Sequence, residues 1–252
     1  MVDINISTHQ TEEPKKAKKK ENKFVAIAWA FLYFLLTITL CLSGTRTFIQ
    51  FYYYPIYISG DSMEPTLNGG TDYSNPRYDF GYIDTSRKAI DSIDRFDIIT
   101  TFYPFSAEDY NQPYQHNQDT LSGAKHKIKR VIALPGDTFT ISNNVLIFRN
   151  NETGEDEPCE LPFETITSQN SNRVDFKTKG FGDEEGFVTL AEDEYWVMGD
   201  NWVGSRDSYS DQKGGPVYYE NIVGVLIAII GTCKVQNEQI YDKQYTFPRF
   251  FK

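Results

Sequence analysis

Residues 24–42 form an unbroken apolar and aromatic run of 19 residues, interrupted only by the hydroxyls of Tyr33, Thr37 and Thr39. As a helix rising about 1.5 Å per residue the run reaches roughly 28 Å, against a bilayer core of about 30 Å. It has no polar face, so it does not read as the amphipathic helix of a globular core. A cleavable signal peptide is the rival reading, but its apolar region usually spans only about 7 to 15 residues. The run is therefore expected to cross a membrane once, and the rest of the chain must fold on one side of that membrane or the other.

Charge decides which side. Lys15, Lys16, Lys18, Lys19, Lys20 and Lys23 precede the run, and only Arg46 follows it closely. The positive-inside rule then puts the amino terminus in the cytoplasm and the remainder outside. Three parts are expected: a solvated lysine-rich tail over 1–23, a transmembrane helix over 24–43, and an extracytoplasmic domain over 44–252. Of the 25 basic and 35 acidic residues, 18 and 31 fall outside the tail and Arg46. So acidic a body repels nucleic acid, and no nucleic-acid partner is expected. Cys159 and Cys233 lie where a disulfide is permitted by compartment, although sequence separation says nothing of their distance.

The body reads as mainly β. Residues 47–58 are rich in β-branched and aromatic types with Pro55 near the end, which suits an extended edge strand. Further strands are expected over 97–103, 127–134, 195–198 and 222–235. The clearest hairpin is 138–149, where Asn143-Asn144 supplies the positive φ that tight turns need. Residues 222–230 are apolar but too short for a second span, and their β-branched residues favour a buried strand. The stretches 68–92 and 104–124 read as polar surface loops, and the acidic segment 150–194 as a small second β lobe.

Three short runs carry chemistry. Ser62 lies in Ser59-Gly60-Asp61-Ser62-Met63-Glu64-Pro65-Thr66-Leu67, where Pro65 stiffens the turn. Alone, such a serine is a turn residue. Lys129 lies in the candidate strand 127–134, whose alternation puts Lys127, Lys129, Val131 and Ala133 on one face and Ile128, Arg130, Ile132 and Leu134 on the other. If the first face turns inward, desolvation lowers the Lys129 pKa toward the 7 to 8 useful for a base; otherwise Lys125, Lys127, Lys129 and Arg130 are a solvated edge. The third run, 195–208, contains Gly199-Asp200-Asn201 and Ser205-Arg206-Asp207-Ser208. Ser205 is placed to orient Lys129, and Asp200 and Asp207 to hold nearby arginines. His9, His116 and His126 are dispersed, so neither a metal site nor a Ser-His-Asp triad is expected, and no cofactor.

Taken in order behind an amino-terminal anchor, the blocks 59–67, 95–103, 129–137 and 199–208 resemble the type I signal peptidases, also called leader peptidases. The resemblance implies an antiparallel β-sheet catalytic body with a smaller second β lobe, tethered by one N-terminal transmembrane helix. It implies Ser62 as nucleophile, Lys129 as general base, Ser205 as the lysine-orienting serine, Asp207 as its supporting carboxylate, and Asp200 with Arg130 as a structural ion pair. Substrates would be translocated preproteins cut after small residues at the −3 and −1 positions. Ile58, Met63 and Ile128 are the candidate pocket walls, and the lipid bilayer and the secretion translocon the implied partners. A bacterial plasma membrane fits the lysine base.

The chain departs from the family pattern in three places. Trp202 and Gly204 stand where arginine and asparagine are usual, and Tyr209 replaces the arginine expected after Asp207-Ser208, which leaves Asp207 to find another partner such as Arg206. Gly60 occupies a position where some members place an oxyanion-stabilising serine, so the Ser62 N–H would carry most of that stabilisation. Two other readings remain open: a specialised processing peptidase serving one secretion system, and a catalytically inactive membrane-tethered binding protein of the same fold.

Overall fold

The computed structural model describes residues 23–72, 74–102, 126–167, 174–210, 214–237 and 239–251. The expected loop 104–124 and nearly all of the lysine-rich tail lie outside them. The chain divides into a unit ending at residue 49 and a body of residues 50–252.

Helix α1 (Lys23–Tyr52) is 30 residues long and buries none of its side chains. At about 1.5 Å per residue it runs roughly 45 Å. It is long and apolar enough to cross a membrane, with a mean hydropathy of 2.3 over its most apolar window. The two threonines of the apolar run are satisfied within the helix: Thr37 Oγ1 donates to the Tyr33 carbonyl at 2.8 Å and Thr39 Oγ1 to that of Leu35 at 2.9 Å. Such back-bonding pairs both threonine hydroxyl protons in an apolar surrounding. The extended segment expected over 47–58 begins later than its β-rich composition suggests, because α1 continues to Tyr52. Only β1 (Tyr53–Tyr57) is a strand, at the edge of its sheet and carrying Pro55.

The body contains β2 (Tyr78–Asp84), the short helix α2 (Arg87–Asp91), β3 (Ile98–Phe102), β4 (His126–Ala133), β5 (Thr138–Ser142), β6 (Val145–Arg149) and β7 (Asp156–Cys159). After the turn α3 (Phe176–Lys179) come β8 (Val188–Thr189), β9 (Glu194–Met198), β10 (Val217–Tyr218), β11 (Ile222–Gln236) and β12 (Gln239–Phe250). One sheet has the order β1-β2-β11-β3-β4-β9-β10, with β12 also on β11; the other has β7-β6-β5-β8. Every strand pairing is antiparallel. The fold is thus mainly antiparallel β in two sheets, with one N-terminal apolar helix. The smaller sheet draws its central strands from the 138–149 hairpin, whose turn residues Asn143 and Asn144 have φ of 51° and 69°.

Two stretches read differently in the structure. Residues 68–92 hold β2 and α2 rather than loop alone, because Tyr78, Phe80, Tyr82 and Ile83 pair with β11 in the middle of the large sheet. Residues 239–250 also form a strand, paired with β11. The hairpin with β11 is held by Arg77, which donates to Thr232 Oγ1 at 3.0 Å and to Asp242 Oδ2 at 2.9 Å. Cys159 on β7 and Cys233 on β11 are both free thiols.

Three apolar clusters fix the body. Ile58, Met63, Leu67, Ile83, Ile98, Leu226 and Ile229 lie beneath the Ser62 loop. Ile99, Val131, Val197 and Val225, with Ile90 of α2, lie in a second cluster. The third joins the sheets through Ile132, Phe139, Phe176, Trp196 and Trp202. β4 alternates as its sequence suggests up to Ile132, where a bulge against β9 disturbs the register and puts Ala133 in the same cluster as Ile132. Phe139 is fully buried, with its ring 5.5 Å from Phe176 and 5.6 Å from Trp196, both edge-on. Phe139→Ala is expected to cost about 3–5 kcal/mol through the cavity it leaves, read as a fall in denaturation midpoint; an unchanged midpoint would show that the two sheets do not depend on this cluster.

Candidate active site

The Ser62 loop lies in the connection from β1 to β2, and its turn over residues 60–69 is held by backbone bonds. Gly60 N–H donates to the Gly69 carbonyl at 3.0 Å, Glu64 N–H to Asp61 at 3.1 Å and Leu67 N–H to Met63 at 2.9 Å. Met63 and Leu67 are completely buried and anchor the loop, while Ser62 itself stays partly accessible. β12 secures the far side: Arg249 donates to the Thr66 carbonyl at 3.0 Å and pairs with the buried Asp79 carboxylate. Asp79 in turn accepts from Asn68 N–H at 2.9 Å.

The turn after β9 clamps the loop from the other side. Asn201 N–H donates to the Ser62 carbonyl at 3.1 Å, and Asn201 Nδ2 to the Asp61 carbonyl at 3.3 Å. Gly199 passes so close that a Cβ there would meet the Ser62 carbonyl at 2.1 Å and Ser205 Oγ at 2.5 Å. Only glycine permits that approach, which gives Gly199 and Asn201 roles that the sequence alone left as turn chemistry. Their signal was their place after a buried strand.

Lys129 projects from β4 into this junction. Its Nζ donates to Ser62 Oγ at 2.7 Å and to the Ile128 carbonyl at 2.9 Å, and the residue is 3% exposed. Burial pulls its pKa from 10.5 down to about 8; Asp207 opposes the shift, Lys127 reinforces it, and Asp200 and Asp61 oppose it more weakly. Desolvation dominates because the charged form loses its hydration shell.

Arg130, on the opposite face of β4, meets Asp200 in a buried ion pair at 2.6 Å, with a second bond from Nε at 2.8 Å. Such a planar two-point contact keeps both charges satisfied out of water. The Arg130 guanidinium also donates to the Phe96 carbonyl at 2.9 Å and lies 4.1 Å over the Phe163 ring. Asp207 is buried and accepts from Gly199 N–H at 2.8 Å and Tyr209 N–H at 3.0 Å. Arg206 is exposed. Tyr209 turns toward the small sheet, its hydroxyl accepting from Asp175 N–H at 3.1 Å and its ring stacked on Phe176. Trp202 is buried in the cluster joining the sheets.

Ser205 lies beside Gly199, but its hydroxyl is buried without a hydrogen-bond partner, and the expected bond to Lys129 is not formed. Lys129 instead uses the Ile128 carbonyl. Ile58 and Met63 are core residues beneath the loop, whereas Ile128 is partly buried and packs on the same cluster. The sequence placed Lys127 on the Lys129 face without a role; the structure finds it half-buried, with Nζ donating to the Arg206 carbonyl at 3.0 Å.

A half-exposed hydroxyl against a buried amine of lowered basicity is an arrangement suited to hydrolysis through a serine ester. Comparison with known proteins carries the assignment further. Residues 27–230 match the family model described as "Signal peptidase, peptidase S26", and the chain belongs to that family. Signal peptidase I S of Bacillus subtilis (strain 168) is 30% identical over 162 residues, covering 63% of this chain and 67% of the relative. Signal peptidase I V of the same strain is 27% identical over 171 residues, 67% of this chain and 80% of the relative. A crystal structure of a signal peptidase I from Enterococcus faecalis V583 is 24% identical, covering 54% of this chain and 97% of that one at a TM-score of 0.35.

Lys129 costs the fold stability wherever it is charged. Its folded pKa of about 8 lies below the 10.5 of the free side chain, so the native state binds fewer protons than the unfolded one between those values, and stability rises with pH through that window. The penalty is about 3 kcal/mol at pH 7 and under about 1 kcal/mol at pH 10. Lys129→Met is therefore expected to raise the denaturation midpoint at pH 7, with most of the gain gone at pH 10. A pH-independent difference would contradict the desolvated lysine.

Proposed function

We propose that the chain is a membrane-bound serine endopeptidase that removes N-terminal signal peptides from translocated preproteins. One observation supports it above the others: the 2.7 Å contact between Ser62 Oγ and a lysine that burial makes a usable base. Family membership supplies the reaction, cleavage of signal peptides by a peptidase.

In this reading the neutral Lys129 amine accepts the Ser62 hydroxyl proton as Oγ attacks the scissile carbonyl. The resulting ammonium passes that proton to the leaving amine nitrogen as the C–N bond breaks, which frees the mature protein and leaves the signal peptide as an ester on Ser62. Water then attacks the ester, again giving its proton to Lys129, and the signal peptide leaves as a carboxylic acid while Ser62 regains its proton. The Ser62 N–H stabilises the oxyanion, a contribution of roughly 3 to 4 kcal/mol for a good donor. The Asn201 and Gly199 clamp on residues 61 and 62 supports this by fixing the loop backbone. Asp200 with Arg130 and Asp207 with the turn hold the surrounding frame, with Ser205 beside Gly199. Ile128, partly buried on the cluster that holds Ile58 and Met63, offers an apolar wall that suits small residues at −1 and −3.

α1 tethers the enzyme as a single span, with 1–23 in the cytoplasm and the body from residue 44 outside. Its apolar, unburied surface and the flanking lysines support this placement. Preprotein, bilayer and translocon are then the partners.

Incubation of the full chain in detergent with a preprotein, followed by sequencing of the new amino terminus, tests the reaction. A cut after a small residue is expected; no cut, with the fold intact, would favour an inactive binding protein. Ser62→Ala and Lys129→Ala are each expected to lower turnover at least about 10³-fold, and normal turnover in either would reject the pair. In the unaltered chain, kcat/KM should fall about tenfold per pH unit below about 8, and a flat profile from pH 6 to 10 would contradict a lysine base.

A further inference from the structure

We propose that Lys127 is a positioning residue for Lys129 and Ser62, bracing the turn that carries Ser205 and Asp207 while placing a second positive charge beside Lys129. The inference rests on Lys129 being the base.

Lys127 and Lys129 are two residues apart on β4, so their side chains leave the same face. The Lys127 ammonium donates to the carbonyl of Arg206, the residue between Ser205 and Asp207, at 3.0 Å. Other bonds tie that turn to itself and to β9. Ser208 N–H donates to Val197 at 3.0 Å, Gly199 N–H to Asp207 Oδ2 at 2.8 Å, and Asp207 N–H to Ser210 Oγ at 2.7 Å. Lys127 adds a side-chain link from β4, the strand that carries the base.

Charge gives the link a second effect. Lys129 faces Asp207, Asp200 and Asp61, each of which favours its ammonium, and Lys127, which disfavours it. Asp200 is matched by Arg130. Asp207 acts on both lysines, and Arg206 is the further charge acting on Lys127. Tyr209 offers Asp207 a backbone N–H but no cation, its ring being stacked against Phe176. The positive charge of Lys127 thus opposes the charge of Asp207 in its action on Lys129. Removing it leaves the carboxylates to favour the protonated base.

The test compares the pH dependence of kcat/KM, from pH 6 to 10, for the full chain in detergent and for Lys127→Met, Lys127→Gln and Lys127→Arg, with a preprotein bearing alanine at −3 and −1. Both neutral variants should move the midpoint of the rise upward by about one pH unit, a loss of about tenfold at pH 7, while Lys127→Arg stays close to the unaltered chain. A role confined to bracing would lower the plateau and leave the midpoint in place, which overturns the charge effect. An equal upward shift in Lys127→Arg would overturn it too. Should Lys127→Met fail to fold, Lys127→Gln, which keeps a donor for the Arg206 carbonyl, carries the comparison. Failure of the underlying reading looks different: a flat profile in the unaltered chain, or turnover in Lys129→Ala, removes the base itself.

Discussion

The removal of Lys129 from water is the constraint on which the rest of the body depends. An amine that is 3% exposed must lie against something, and here it lies against Ser62 and its own strand's backbone. β4 supplies the side chain from the middle of a sheet, flanked by β3 and β9, so its position is set by ladders on both sides rather than by a loop. The Ser62 loop arrives from the β1–β2 edge and is carried inward on Met63 and Leu67. Neither strand pairs with β4, so Ser62 and Lys129 are brought together by the turn after β9, by the bond from Arg130 to Thr66 Oγ1 and by Ile128 packing on the cluster of Met63 and Leu67.

That turn is where local chemistry and long-range packing coincide. Gly199 lets backbone approach backbone, Asn201 bonds both residues 61 and 62, and Asp200 turns away to meet Arg130 on the far face of β4. One short sequence thus bonds the serine loop through Asn201 and Arg130 through Asp200, and Arg130 itself reaches the loop at Thr66 Oγ1, 3.3 Å away. The two basic side chains of β4 differ in their settings. Arg130 is a permanent cation neutralised at close range, which fixes geometry, whereas among the described residues Lys129 bonds only the Ser62 hydroxyl and the Ile128 carbonyl.

Much of this was legible in the chain. The span could be read from length and apolarity, the 138–149 hairpin from two asparagines, and the faces of β4 from simple alternation. The site blocks were recognisable from their order, and Ser62 with Lys129 could be paired by resemblance. What resisted reading was set by tertiary contact. α1 runs on to Tyr52 through residues whose β-branching suggested a strand, β12 pairs with β11 and is held there by Arg77, and the bulge at the end of β4 moves Ala133 to the other cluster. The missing Ser205–Lys129 bond follows the same rule, since the Ile128 carbonyl meets that need and no spacing reports it. Tyr209 and Trp202 look like losses in the sequence but are placed by packing, against Phe176 and within the cluster joining the sheets. Asp207 accepts from the backbone N–H groups of Gly199 and Tyr209.

The central claim is that burial makes Lys129 a neutral base near physiological pH, and titration of its own Nζ measures this directly. Lysine-labelled protein in detergent, followed by nuclear magnetic resonance from pH 6 to 11 and assigned by comparison with Lys129→Met, would report one lysine titrating near 8 against the 10.5 of an ordinary side chain. A Lys129 resonance that titrates with the surface lysines would contradict the account.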